Sequence, residues 1–372
     1  MLNMVFSEQR SRKSDPKRYP APLKRRRWRE KRNSAMNVTR RGFGTMLLTA
    51  AAAVSAPAVT RGQDATGKFV MGSPMPSSHS ASTFMAAAAD AIRKESNGAI
   101  DILFLADSQL GSEADMQRQL RVGGIQFLVA SCSSLQNIAN VAGIPGVAYA
   151  FKEYSQLWAA LDGELGQLIR EALGKLGMIS FKCLDNGFRN VTTSTRAVNG
   201  VDDLQGLKIR VPPSPLLTSL FQSLGASPTT VNIGELYSAL QTRIADGMEN
   251  SLVQFEALKI YEVQQYCALT RHSWDGLWVL TNNRLWDSMP GEHKTLITRH
   301  FDEAVLKQHE DFARQDIQLK AALEAKHLRF NEVDRDQFVR ALEKASYYQH
   351  WRSRFGQEAW TTLEKYAGPL GS

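Results

Sequence analysis

Three apolar stretches separated by helical patterns limit this chain to a few architectures. They are KFVMGSPM (Lys68–Met75), AIDILFLA (Ala99–Ala106) and IQFLVAS (Ile125–Ser131). The first gap carries apolar residues at Phe84, Ala87, Ala91 and Ile92 and closes on Asn97-Gly98. The second opens at Ser112 with Asp115 three residues on, an N-cap pattern that predicts a helix through Leu120. Strand–helix alternation of this kind predicts a mostly parallel sheet flanked by helices. Ligands in such sheets sit beyond the carboxyl ends of the strands, which directs attention to Pro76–Ser80, Ser108–Gln109 and Ser131–Ser134.

The middle of the chain changes character. ISFKCLDNGFRNVTTSTRAV (Ile179–Val198) is rich in β-branched residues, and Asn199-Gly200 turns it toward GLKIRVPPSP (Gly206–Pro215). There Leu207, Ile209 and Val211 alternate with Lys208 and Arg210, the period of a strand. Pro212 and Pro213 remove consecutive backbone donors, so the strand must stop immediately after Arg210 and Val211. Farther on, Leu236, Leu240 and Ile244 predict a helix over Asn232–Gly247, with Gly247 as a left-handed cap. Pro290 opens a helical pattern that runs to about Leu328, more than about 50 Å at roughly 1.5 Å per residue. Such a length exceeds one small domain and predicts a bridge between two.

The net charge of +8 is unevenly placed. Of the 45 Lys+Arg and 37 Asp+Glu, 15 and three respectively fall in residues 1–62, so the remainder carries 30 against 34. The body is therefore mildly acidic, and its composition does not point to nucleic acid. The tail itself has the layout of an export signal. NVTRRGFGTMLLTAAAAVSAPA (Asn37–Ala58) combines the Arg40-Arg41 pair, a weakly apolar run and a small-residue end, which predicts twin-arginine export and cleavage near Ala58. The run is too short and too poor in large side chains for a permanent anchor. Residues 1–35 make an unusually long basic extension, and a start at Met36 would leave a signal of ordinary length.

Cys132, Cys183 and Cys267 are far apart in apolar surroundings and read as buried thiols, with no zinc or redox spacing. No GxSxG elbow, phosphate-binding glycine loop, HExxH or cofactor motif is present, so the expectation is a non-enzyme without metal or cofactor. The arginines carry more information. A buried guanidinium requires an anion, and its planar fork matches a carboxylate in two bonds. Arg189 follows Gly187-Phe188, and Arg210 closes its strand; their partner is either a ligand or an internal acid such as Asp202 or Asp203. His79, in the turn after the first strand, could line a cleft. His272, Ser273 and Trp274 form a polar–aromatic cluster within TRHSWDGLW (Thr270–Trp278).

Four ordered segments make the pattern familiar: GFRNVTTSTRAV, DLQGLKIRVPPSP, ELYSALQTRIADGMEN and HSWDGLW. Together with PMPSSHS, SQLGSE and the long helix, they resemble the solute-binding proteins of tripartite ATP-independent periplasmic (TRAP) transporters, the DctP-like family, over residues 66–368. The resemblance implies an α/β fold of two domains with crossing strands and a long domain-spanning helix. The implied boundaries are 66–186 with 276–315 for one domain and 187–275 with 316–368 for the other. It also implies a ligand carboxylate clamped by Arg210 and assisted by Arg189, with Asn250 and His79 lining the cleft; Trp274 and His272, from the polar–aromatic cluster, are expected to bind the ligand with them. Arg243 and Ser251 depart from the usual pattern. The implied function is that of a monomeric periplasmic receptor that delivers an organic acid to TRAP permease subunits. RVPPSP, ELYSALQ and HSWDGLW resemble the branch that takes sugar acids such as uronates, and a tryptophan beside a histidine and a serine suits a pyranose. Four-carbon dicarboxylates, other hydroxy acids and aromatic acids stay open as ligands. A sensor for a signalling partner and, last, a secreted enzyme stay open as functions.

Overall fold

The computed structural model describes residues 67–371. The expected export signal and the basic extension before it lie outside the described residues. No described helix is long and apolar enough to cross a membrane.

Nine strands form one mixed sheet: β1 (Gly67–Gly72), β2 (Ile100–Leu105), β3 (Phe127–Ser131), β4 (Met178–Thr193), β5 (Lys208–Val211), β6 (Ser227–Thr230), β7 (Gly247–Asn250), β8 (Tyr266–Asn282) and β9 (Arg329–Glu332). The order is β2-β1-β3-β8-β4-β7-β5-β6, with β9 on β8. The expected parallel pairs are present at each end, β1 with β2 and β3, and β5 with β6 and β7. Between them the sheet is antiparallel rather than mostly parallel, because two long strands cross from one lobe to the other. β4 pairs with β8 almost throughout, and each also joins an end group: β8 through Leu277–Thr281 to β3, β4 through Asn190–Thr193 to β7.

Three register shifts interrupt the β4–β8 ladder. The central one contains Gly187, whose φ of 90° lies in the region that glycine tolerates. A Cβ there would also sit 2.8 Å from Phe312 and 2.9 Å from Ser251 Cβ, so the GFR motif needs a residue without a side chain.

The long helix spans Gly291–Ala325, as its pattern predicts. Ile297, Phe301 and Val305 pack with Phe127 and Leu277 beneath the β1–β3 lobe, whereas Leu323 packs with Leu236, Met248 and Cys267 in the other lobe. One rigid element thus contributes to both cores. It also covers an edge: Met178–Asn186 of β4 has β8 on one side only. Gln308, fully buried, accepts from Asp185 N (2.9 Å) and donates to Asp185 O (2.9 Å) and Ser80 Oγ (3.0 Å). His309 Nε2 donates to Cys183 O at 2.8 Å. Side chains of a helix here replace the missing strand.

Ser112 forms the predicted capping box with Asp115 at the start of α2 (Glu113–Val122). The expected helix over Asn232–Gly247 is shorter, ending at Gln241. Ile244 is 57% exposed, and Gly247 begins β7, where any side chain would lie 2.5 Å from Thr192 O. The helical spacing of Leu236 and Leu240 runs out one turn early, and close approach of backbone to backbone takes the glycine. All three cysteines are buried and free.

Gln308→Leu keeps the volume of the side chain but removes its hydrogen bonds to both backbone groups of Asp185. It should lower unfolding free energy by about 2–4 kcal/mol, read as the midpoint of a urea titration.

Candidate ligand cleft

The carboxyl ends of β1, β2 and β3 face those of β5 and β7 across a cavity of about 440 Å³. The loops from the first group bring Met75, Ser108 and Ser133 to it, and α2 brings Glu113 and Gln117. The opposite wall holds Arg210, Pro212, Pro213 and Asn250. Arg189 and Asn186 from β4 and Asp275 from β8 come from the strands that cross beneath.

The residues immediately after Arg210 hold it at the wall. β5 ends one residue later, the proline pair turns the chain, and Ser214 caps the next helix by accepting from Leu217 N at 3.3 Å. The Arg210 side chain is 2% exposed. Its Nε and Nη2 both donate to Val231 O, at 2.9 and 2.7 Å, leaving Nη1 outside these bonds. Among the described residues no carboxylate lies within ion-pair distance of it; Asp203 instead accepts from Asn199 N and Gly200 N. Burial lowers its pKa to about 10, against the opposing pull of Glu249, so it remains a cation at neutral pH.

Arg189 is the opposite case. Nε donates to Glu249 Oε2 at 2.5 Å, Nη2 to Oε1 at 2.8 Å and to the Glu249 carbonyl at 3.0 Å, and Nη1 reaches Asp275 Oδ2 at 3.4 Å. This is a buried two-bond fork with a second acid behind it, and its charge is matched from within. Burial would raise the pKa of Glu249, but the charge and bonds of Arg189 outweigh it and hold the group near 2. Asp275, buried and bonded to Ser133, is pushed up.

His272 completes that cluster rather than the cavity wall. Its Nε2 lies 3.2 Å from Glu249 Oε2 and its Nδ1 2.8 Å from Thr270 Oγ1. Burial lowers its pKa. A neutral ring therefore donates to the carboxylate and accepts from the hydroxyl. Trp274 is also set back: Nε1 donates to Asp185 Oδ1 at 2.9 Å, and the ring packs edge-on against Trp158. It offers no open face for a sugar ring to stack on. His79 caps the helix Ser80–Glu95 by accepting from Ala81 N at 3.2 Å. It is fully buried, its pKa is lowered by burial to about 4, and it stands beside Asn186 one layer behind the cavity. Of the six residues singled out from sequence, Arg210, Arg189 and Asn250 meet at the cleft, while His79, His272 and Trp274 support it from behind. Asn250 closes β7 with Oδ1 accepting from Ser251 N at 2.9 Å.

Sequence reasoning passed over two acids. Glu113 is the first residue of α2, just beyond the carboxyl end of β2, and the capping pattern at Ser112 could have located it. Asp275 is a lone acid in an apolar strand, a signal that was present in HSWDGLW. No group of three or more potential metal ligands occurs among the described residues.

The model for bacterial extracellular solute-binding proteins, family 7 (DctP), matches residues 71–353. The chain belongs to this family. An uncharacterized protein of Haemophilus influenzae is 31% identical over 215 residues, covering 58% of this chain and 66% of the relative. Protein y4mM of Sinorhizobium fredii is 28% identical over 323 residues, covering 86% of this chain and 59% of the relative. The matches thus span roughly three-fifths to just under two-thirds of these relatives' own length. Among solved structures, the galactonate-bound sugar-acid-binding protein DctPAm of Advenella mimigardefordensis superposes with a TM-score of 0.78 at 23% identity, over 81% of this chain and 97% of that one. A TRAP solute-binding protein of a Sulfitobacter species with bound β-D-galacturonate gives 0.77 at 21%, over 82% and 100%. One from Shewanella oneidensis with succinate gives 0.76 at 21%, over 81% and 99%. These likenesses establish the two-domain TRAP-receptor fold.

Glu249→Gln should cost about 3–5 kcal/mol, because Arg189 loses the partner that compensates its buried charge. The pH signature is specific. The folded pKa of Glu249, about 2, lies below its ordinary 4.5, so its contribution is complete above about 4.5 and disappears as pH falls toward 2. Urea midpoints measured between pH 6 and 2 should fall less steeply in the variant than in the parent.

Proposed function

We propose that the protein is the extracytoplasmic receptor of a TRAP transporter, binding an organic acid on Arg210 and handing it to membrane permease subunits. One observation carries the reading: Arg210 is a buried cation on the wall of the cleft whose only bonded partner among the described residues is a carbonyl. A ligand carboxylate would supply the missing anion, and the planar fork suits it. The family supports export and a periplasmic site of action. In this reading, ligand binding closes residues 66–186 with 276–315 against 187–275 with 316–368.

A sugar acid suits the cleft better than a dicarboxylate. Arg189, the second buried cation, is already engaged by Glu249 and Asp275. Among apolar side chains such as Met75, Ile138 and Ile233, the rest of the wall presents amides and hydroxyls, including Gln117, Ser133, Asn186, Asn250 and Gln254. Such groups match ring or chain hydroxyls, and no second unpaired buried cation among the described residues waits for a second carboxylate. The galactonate and galacturonate held by two structural relatives fit this reading, and the succinate held by a third marks the alternative. The support comes from these polar groups and not from Trp274 or His272.

A thermal-shift panel of uronates, aldonates, four-carbon dicarboxylates and aromatic acids tests it. An acid at 100 times its Kd adds about 2.7 kcal/mol, several degrees in a protein of this size. Arg210→Ala should then weaken binding of the responding acid by about a hundredfold or more while the variant stays folded. Affinity retained within about threefold would remove Arg210 from the site. A response to dicarboxylates alone would keep the receptor and discard the sugar acid.

A further inference from the structure

Two buried guanidinium groups, Arg189 and Arg210, stand against three acids shielded from bulk solvent, the buried Asp275 and the half-buried Glu113 in the cleft wall and the buried Glu249 behind it, while Arg118 and Arg121 line the mouth exposed to solvent. A ligand carboxylate would add a fourth acid. Buried charge without a counter-charge is costly, so the imbalance has to be relieved when an anion enters.

Glu113 is the group placed to relieve it. Its Oε1 accepts from Ser131 N at 2.5 Å and from Ser131 Oγ at 2.9 Å, while Oε2 has only Ser131 Oγ, at 3.1 Å. The backbone N–H requires a lone pair on Oε1, which leaves Oε2 as the oxygen able to carry a proton. A chain of hydroxyls also ties Glu113 to the second cleft acid. Ser131 Oγ lies 3.1 Å from Ser133 Oγ, which is 2.8 Å from Asp275 Oδ2. The other two acids are less able to take a proton: Glu249 is locked into the Arg189 fork, and Asp275 keeps Arg189 Nη1 at 3.4 Å.

We propose that Glu113 is a specificity residue of this cleft that binds organic anions in its neutral, proton-donating form and is deprotonated only at a cost to their affinity. The inference rests on the reading of the cleft as an acid-binding site. It adds a selection rule: an anion docks against neutral Glu113, whereas a zwitterion bringing its own ammonium group would favour the ionised form.

The surroundings agree from every side. β5 presents Arg210, β8 presents Asp275, β4 presents Arg189 and β7 presents Glu249 behind it, with neutral His272 beyond. Ser131, Ser133, Ser134 and Asn137 face the site after β3 without charge. On its own helix, Asp115 is paired with Arg118 in solvent, and Arg121 is exposed at the mouth, where screening weakens their pull. Burial raises the pKa of Glu113 to about 8, against the bonds from Ser131 and the charge of Arg210.

Two measurements decide it. Carboxyl carbon NMR of the ligand-free protein should show one glutamate titrating near pH 8, absent in E113Q and shifted in Ser131→Ala. D-galacturonate, which stays ionised throughout, is then titrated calorimetrically from pH 6 to 9.5 in buffers of different ionisation enthalpy. Its affinity should hold steady below pH 8 and fall by up to about tenfold per pH unit above it, with proton uptake on binding. In E113Q the affinity should vary by less than about threefold over the same range. A Glu113 that titrates near 4.5, or a pH dependence that persists in E113Q, overturns the proposal. Absence of galacturonate binding at every pH counts against the sugar-acid reading, and the NMR titration still decides the state of Glu113.

Discussion

The antiparallel pairing of β4 with β8 is the interaction on which the rest of the molecule depends. At 16 and 17 residues these strands are far longer than their neighbours, and each is shared between two groups of parallel strands. Because both end groups attach to one ladder, their carboxyl ends face each other, and the cavity lies where they meet. The register shifts in that ladder bend it, and Gly187 allows the bend to coincide with the close approach of Phe312 from the long helix. The same helix satisfies the one open edge that the arrangement leaves along β4, through Gln308 and His309.

Two arginines of similar burial therefore do different work. Arg189 points back into the crossing strands, where Glu249 on β7 and Asp275 on β8 absorb its charge and hold three strands together. His272 fixes the far side of Glu249, so the cluster is satisfied without anything from solvent. Arg210 emerges one strand farther out, as the last residue of β5 paired with β7, and among the described residues its side chain finds only the carbonyl of Val231. The distinction is positional: a cation among crossing strands meets acids of the fold, and a cation at a strand end meets the cleft.

Sequence alone places Arg210 at a strand end but does not find the partners of Arg189. The strand period of GLKIRV and the proline pair are local, so they place Arg210 at a strand end without knowledge of the fold. The partner of Arg189 lies 60 residues away, on a strand whose first residue, Gly247, the sequence reads as a helix cap. Local signals also located β1, β2, β3, the Ser112 cap and the long helix. They failed for Trp274 and His272, because a polar–aromatic cluster satisfies itself inside a protein as readily as it lines a cavity. Here Asp185 and Glu249, both distant in sequence, take those polar atoms.

Glu113 shows why a cleft of this kind is better described by its charges together than residue by residue. Its position at the start of α2 would by itself favour the ionised form, since a helix N-terminus stabilises negative charge. Burial and the proximity of Asp275 act the other way and prevail over the bonds from Ser131 and the charge of Arg210. In the empty protein an ionised Glu113 would partly balance Arg210 across the cavity, and an incoming carboxylate would then compete with it for the same cation. A neutral Glu113 leaves Arg210 free for the ligand and contributes a donor of its own. In the proposed binding mode the Arg210 guanidinium and a protonated Glu113 would be two halves of one arrangement, neither favouring anion binding fully without the other.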